Sequence, residues 1–284
     1  MRAALLGVRG STSAPGPAFL RYGGHTSCLA VLADGADTPA LLLDAGTGLR
    51  TLPALLAGAP FRGTIALTHL HWDHVQGLPF TPSVDHPEAD VALLLPAQLG
   101  QDGRTLLAGS MSPPYFPIGP DGLRGRWRFC AIEPGEYACG SLRLTAAEVS
   151  HKGGRTYGYR VDDGRSSLVY LPDHAPAAGV GESARALLSG VDVLFHDAQF
   201  TAGEREQAAA YGHATVEDAL ELAGRFGVGR LVLIHHAPDR KDGEIDALVA
   251  AARQRMPVIA GAEGDIIDIA GQPGHAGKAE VKPI

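Results

Sequence analysis

The run Thr68-His69-Leu70-His71-Trp72-Asp73-His74 places four metal-ligand side chains within six positions. His69 and His71 are two residues apart, so in extended backbone their rings point the same way and can grip one divalent ion. Asp73 and His74 follow as the chain turns and face another direction. The run therefore suits two neighbouring ions better than one, and each half-site needs further ligands from elsewhere. A purely structural loop has no reason to collect four such side chains at this spacing.

Further ligand types stand where β-like runs end: His151 after LRLTAAEVS, Asp173 after SLVYLP, Asp197 closing VDVLFHD, and His235 and His236 after RLVLI. Strand ends are rigid, and ligands gathered from several of them can be held around a cleft. Two divalent ions about 3.5–4 Å apart would make hydroxide available near neutral pH. Mixed histidine and carboxylate ligands point to zinc first, with manganese or iron as alternatives. The isolated His25, His86, His174 and His275 read as ordinary structural or surface residues. The glycine-rich N-terminal stretch lacks the G-x-x-x-x-G-K-[ST] pattern of a phosphate-binding loop, so its glycines read as turns. Arg9 within it is a candidate contact for an anionic substrate.

The elements that must position these residues follow from period and punctuation. Strand-like runs fall at residues 3–8, 27–32, 40–44, 64–68, 91–95, 127–132, 141–150, 157–161, 167–171, 191–195, 230–235 and 265–269. LRTLPALLAG, ESARALLSG, GEREQAAAYG, TVEDALELAGRFG and EIDALVAAARQR have helical period. Thr215 is placed to cap one of these helices and Gly227 to end it. Strands come in consecutive groups as well as alternating with helices. That pattern favours an α/β fold of two packed mixed sheets with helices outside, an αββα sandwich, over one doubly wound parallel sheet. A single domain over residues 1–270 is expected, with a loosely held Gly- and Pro-rich tail at 271–284. The Pro- and Gly-dense segment 109–125 carries Tyr115 and Phe116 at its centre and reads either as a lid over a site or as an anchored surface loop.

Composition narrows the class. A formal charge of −7 argues against a carrier that works by blanket neutralisation of nucleic-acid phosphates. No apolar run reaches the ~18 residues of a membrane span, and the N-terminal apolar patch is too short for a secretory signal. Cys28, Cys130 and Cys139 make no C-x-x-C pair and suit a reducing compartment. A cytoplasmic protein without membrane contact is expected.

HLHWDH resembles the H-x-H-x-D-H signature of the metallo-β-lactamase-fold hydrolases, and LLLDAGTG looks like the D-x-G-x-G element that precedes it in that family. The resemblance implies that Asp44 is a support and not a ligand. It also implies that His69, His71 and His151 hold one ion, that Asp73, His74 and His235 hold the second, and that Asp173 lies between them. His236 is the alternative to His235. Within the superfamily the chain is similar to the ribonuclease Z-like and cyclic-phosphodiesterase-like branch, whose acidic and histidine stretches are matched by HDAQF with Asp197 and GHAT with His213. The resemblance thereby moves Asp197 from metal ligation to orienting His213, a general acid for a leaving alkoxide; helix capping is the structural alternative for His213. His25 departs from the asparagine common in similar bacterial sequences.

The implied activity is hydrolysis of a small, anionic, nucleotide-like phosphodiester by a two-metal centre, with Asp73, His213 and Asp197 in the catalytic machinery. Folded RNA is disfavoured by the charge and by the lack of a long basic insertion resembling the exosite arm of transfer-RNA-processing enzymes. Hydrolysis of a lactone, carboxylic ester or thioester at the same centre is the enzymatic alternative. A non-catalytic metal-binding protein of the same fold is a further one. A homo-dimer is the expected assembly on general grounds.

Overall fold

The computed structural model describes residues 1–269, so the expected tail at 271–284 and His275 lie outside the described residues. Six strands open the chain: β1 (Arg2–Gly7), β2 (Cys28–Leu32), β3 (Leu41–Leu43), β4 (Arg62–Ala66), β5 (Asp90–Pro96) and β6 (Arg126–Ile132). Seven more follow: β7 (Gly135–Cys139), β8 (Leu142–Val149), β9 (Thr156–Asp162), β10 (Ser167–Leu171), β11 (Val193–Asp197), β12 (Arg230–Ile234) and β13 (Val258–Ala260). The last, β14 (Ile266–Asp268), returns to the edge of the first sheet. The sheet orders are β14-β1-β2-β3-β4-β5-β6 and β13-β12-β11-β10-β9-β8-β7. Each sheet is antiparallel in one half and parallel in the other, and the change occurs at β3 in the first and β10 in the second.

The inner strands β1, β2, β3, β5, β10, β11 and β12 are buried on both faces, which is why their sequences read as continuous apolar runs. In β2, Leu29 and Val31 face the space between the sheets, while Cys28, Ala30 and Leu32 face outward. In β12, Val232 and Ile234 face inward, and Leu231 and Leu233 pack outward. The outward cover of the second sheet comes from α4 (Glu182–Leu188), α6 (Val216–Arg225) and α7 (Asp242–Ala252). The first sheet is covered by α1 (Leu52–Leu55), α3 (Gly103–Ala108) and the segment after it, while α2 (Trp72–Val75) and α5 (Arg205–Tyr211) are single short elements near the sheet ends. Two packed mixed sheets with helices outside is the architecture expected from the sequence.

The differences from expectation have local causes. LRTLPALLAG forms a 3-10 turn and one helical turn instead of a full helix, because Pro53 sits at its start and the apolar run ends within a turn. β7 and β13 were not anticipated: both are short, and Pro134-Gly135 and Pro257 punctuate their starts like turns. Thr215 caps α6 as expected, in a capping box with Asp218, and Gly227 follows that helix at φ 64°. The segment 109–125 packs Phe116 edge-on against Phe80, with ring centroids 5.7 Å apart, and leaves Tyr115 exposed.

The sheets are tied together by β9. The Tyr159 hydroxyl donates to Leu67 O at 2.6 Å, the Tyr157 hydroxyl donates to Ile132 O at 3.0 Å, and Tyr157 N donates to Thr68 O at 2.8 Å. Two of these bonds end on the residues just before His69. Replacing Tyr159 by Phe leaves the buried Leu67 carbonyl unpaired, so urea unfolding should show a loss of about 1–3 kcal/mol. A loss near zero would mean the hydroxyl does not hold the sheets in register.

Candidate metal centre and active site

The chain leaves β4, passes Thr68, and presents His69 and His71 in extended backbone before α2 carries Asp73 and His74. From the second sheet come His151 after β8, Asp173 after β10, Asp197 at the end of β11 and His235 after β12. The structure brings all of these side chains together with His213. Three-residue groups of ligand atoms within 4.8 Å of one another include His69, His71, His151; His69, His74, Asp173; and Asp73, His74, His235. The cluster lies beyond the carboxyl ends of strands, beside the strands where each sheet changes from antiparallel to parallel, where crevices form in α/β sheets.

Asp44, which follows β3, sets the direction of two rings. Its carboxylate accepts from Thr68 N at 2.7 Å and from His74 Nδ1 at 2.7 Å. It also accepts from Thr68 Oγ1, which in turn accepts from His69 Nδ1 at 3.0 Å. With Nδ1 protonated in both rings, the lone pairs of His69 and His74 are on Nε2. His151 is fixed the same way, because its Nδ1 donates to Gly212 O at 2.6 Å. Ser11 N donates to Asp73 Oδ2 at 2.8 Å. Ser11, Thr68 and Gly212 were not singled out from the sequence; only the three-dimensional turn around each ligand reveals them.

Three of the five non-glycine residues with left-handed φ among the described residues belong to this region: Ser11 (63°), Asp44 (62°) and His235 (58°). Such backbone costs about 1–3 kcal/mol per residue and persists where surroundings over-determine it. At His235 it turns the chain sharply after β12, which points His235 into the cluster and His236 away. His236 Nε2 meets Gly261 O at 3.1 Å, and its ring lies edge-on to Tyr22. Gly10 is required beneath His235, since a Cβ there would lie 2.4 Å from Nδ1.

Arg9 does not meet solvent. It is fully buried and donates to Gly23 O, Ala237 O and Arg240 O, so an anionic substrate cannot reach it. The expectation of a substrate contact there is overturned: it ties N- and C-terminal loops together. His25 Nδ1 lies 3.2 Å from Thr47 Oγ1, and His174 and His196 form a buried pair behind Asp197.

The donor atoms have the spacing of ligand shells. Asp73 Oδ2, His74 Nε2, Asp173 Oδ2 and His235 Nε2 are separated by 3.0 Å in one pair and 3.3 Å in three others. Around the partner position, His151 Nε2 is 3.4 Å from His71 Nδ1 and 3.5 Å from Asp173 Oδ1, with His69 Nε2 3.9 Å from that oxygen. Four ligands at about 2.1 Å in a tetrahedron stand about 3.4 Å apart. Inside the cluster, His69 Nε2, His74 Nε2 and Asp173 Oδ2 are buried without hydrogen-bond partners.

The electrostatics make the same demand. Burial and the facing His74 push His69 well below the usual histidine value, so it is a neutral donor. Burial opposes charge on His74 too, yet Asp73, Asp44 and Asp173 hold it well above that value. Burial opposes ionisation of Asp73 and Asp173, but the surrounding histidines hold both well below the carboxylate range. A cation seated among these carboxylates would take over the role of the proton on His74 and leave its Nε2 lone pair free, and the donor set fits divalent ions.

Residues 40–236 match a family model described as a beta-lactamase superfamily domain. Ribonuclease Z of Methanothermobacter thermautotrophicus is 26% identical over 268 residues, spanning 76% of this chain and 83% of its own length. Zinc-bound PqqB from Methylobacterium extorquens superposes with a TM-score of 0.69 at 18% identity, covering 95% of this chain and 100% of that one. A diphosphatase of the PhnP family gives 0.68 at 17% identity, with coverage of 95% and 99%. At these identities the two structures speak for the fold. The chain belongs to the beta-lactamase superfamily, in the ribonuclease Z-like branch of its metal-dependent hydrolases.

Proposed function

We propose that the protein hydrolyses a small phosphodiester at a two-metal centre, with His213 delivering a proton to the leaving oxygen. The observation that carries this reading is the Asp197–His213 pair beside the cluster. His213 Nδ1 donates to Asp197 Oδ2 at 2.9 Å. That carboxylate also accepts from Ala214 N at 3.1 Å and Gln199 N at 3.0 Å, so its position is fixed from several sides. Burial disfavours an imidazolium at His213, but Asp197 outweighs it and pushes the ring up to about 9. Asp197 thus favours the protonated ring and occupies Nδ1, with Nε2 left to face substrate.

His69, His71 and His151 would hold one ion and Asp73, His74 and His235 the other. Asp173 would reach both, since its Oδ1 faces the first group and its Oδ2 the second. When bound, such ions supply Lewis acidity toward an anionic oxygen and hydroxide at neutral pH; the ligand types accept zinc, manganese or iron. The chain's own part is to orient the ligands through Asp44, Thr68 and Gly212, to exclude water behind the cluster, and to hold a proton at His213.

Structured RNA is the second reading, because relatives matching most of the chain are named ribonuclease Z. The cleft beside His213 favours a small substrate: it presents Glu204, Asp239 and Glu244 with Arg240, and carboxylates repel a polyphosphate chain.

Metal-loaded protein should hydrolyse bis(p-nitrophenyl) phosphate, lose that activity to a chelator and regain it on metal addition. Failure of the loaded protein to turn over would move the reading to lactones and thioesters. Replacing His213 by Ala should slow diesters with alkoxide leaving groups by about 10²–10⁴-fold while sparing nitrophenolate release. Equal losses on both would remove the proton-donor role. Asp44→Asn keeps a residue that tolerates left-handed φ but weakens the hold on His74, so metal affinity should fall about 10–100-fold in competition with a chromophoric chelator. Unchanged affinity would show that the rings are oriented by other means.

A further inference from the structure

The metal cluster lies between two clefts of opposite character. On one side is a groove of about 730 Å³ walled by Trp72, Phe80, Met111, Tyr115 and Phe116, with Arg50 its one charged residue. On the other is a cleft of about 430 Å³ lined by Gln199, Glu204, Gln207 and Arg240, with His213 on its wall. A smaller pocket over the cluster shares Trp72 with the aromatic groove and shares Ser11, His71 and His213 with the polar cleft. The shared residues place the three side by side, and the walls of the middle pocket include the candidate ligands His71, Asp73 and Asp173.

Trp72 sits between His71 and Asp73 in sequence, yet its side chain is 70% exposed, and Tyr115 and Phe80 beside it are 82% and 57% exposed. A large aromatic side chain left in water next to buried ligands gains nothing for the fold. It offers a planar face to whatever lies over the centre. Phe116 is held in place by its edge-on contact with Phe80 and by the core beneath the first sheet. The wall is therefore anchored, while its rim is open.

We propose that these clefts sort the two ester arms of the substrate: a nucleobase on the retained phosphate arm stacks on Trp72, and a small hydroxylated alcohol leaves into the cleft of His213. This rests on the phosphodiesterase reading and adds the substrate's orientation to it. The assignment of arms follows from the proton. His213 protonates the departing oxygen, so the departing alcohol lies on its side, among amides and carboxylates that hydrogen-bond hydroxyls. The arm that stays on phosphorus is directed to the other side, where aromatic faces accept any base. In the balanced step the P–O bond to the small alcohol breaks and a P–O bond to the oxygen of water forms; that water keeps one proton on the new phosphate oxygen and releases the other to solvent, from which His213 is reprotonated. The alcohol takes its proton from His213, and the products are a nucleoside monophosphate and the free alcohol.

The test uses adenosine 5′-glyceryl phosphate, with products identified by phosphorus NMR, and fluorescence of a Trp127→Phe variant in which Trp72 is the remaining tryptophan. The expected products are AMP and glycerol. AMP should quench Trp72 and ribose 5-phosphate should not. Trp72→Ala should raise KM for the adenosine diester about tenfold, with kcat changed less than about twofold. Formation of adenosine and glycerol phosphate would reverse the orientation and overturn the proposal, as would equal quenching by AMP and ribose 5-phosphate. No hydrolysis of this diester alongside turnover of bis(p-nitrophenyl) phosphate would overturn the sorting while leaving the diesterase reading intact. Turnover of neither would overturn both.

Discussion

The carboxylate of Asp44 is the constraint on which the centre depends. It is fully buried at the end of β3, in left-handed backbone, and it binds the next strand's exit through Thr68 as well as the ring of His74. A buried carboxylate is costly unless its oxygens are satisfied, so its partners cannot drift without a penalty. The same bonds that satisfy it decide which nitrogens of His69 and His74 face inward. One buried acidic residue thereby ties the ends of two strands together and sets the orientation of two rings.

The second sheet answers with strand ends. β8, β10, β11 and β12 each finish at the same edge, and each delivers one candidate group within a few residues of its end. Asp173 has one oxygen toward each half of the cluster, and Asp197, one strand over, is turned toward His213. Adjacent parallel strands are therefore enough to separate a carboxylate facing the His/Asp cluster from one facing His213.

Much of this was legible in the chain because the signals were local. The H-x-H-x-D-H spacing, the apolar runs buried on both faces and the Thr215 cap depend on residues a few positions apart. The gathering of His151, Asp173, Asp197 and His235 could be anticipated from their places after strand-like runs. What could not be read were features made by distant contacts. Nothing about Gly212 predicts that its carbonyl accepts from His151, and nothing about Arg9 predicts burial among three carbonyls. His235 and His236 differ only in which one occupies left-handed backbone, a choice made by the turn after β12. Trp72 read as a spacer within the signature; its exposure and the groove beside it exist only once α3 and the following segment are folded against α2.

The division of donors between the sheets has a thermodynamic consequence. His69, His71, Asp73 and His74 belong to the first half of the chain, and His151, Asp173 and His235 to the second. Any ion they share acts as a cross-link between two separately built layers, so its binding energy also enters the cohesion of the sandwich. Metal supply would then set the lifetime of the folded chain as well as its turnover. In a metal-starved cell, loss of the ion would register first as slackening between the layers and faster proteolysis.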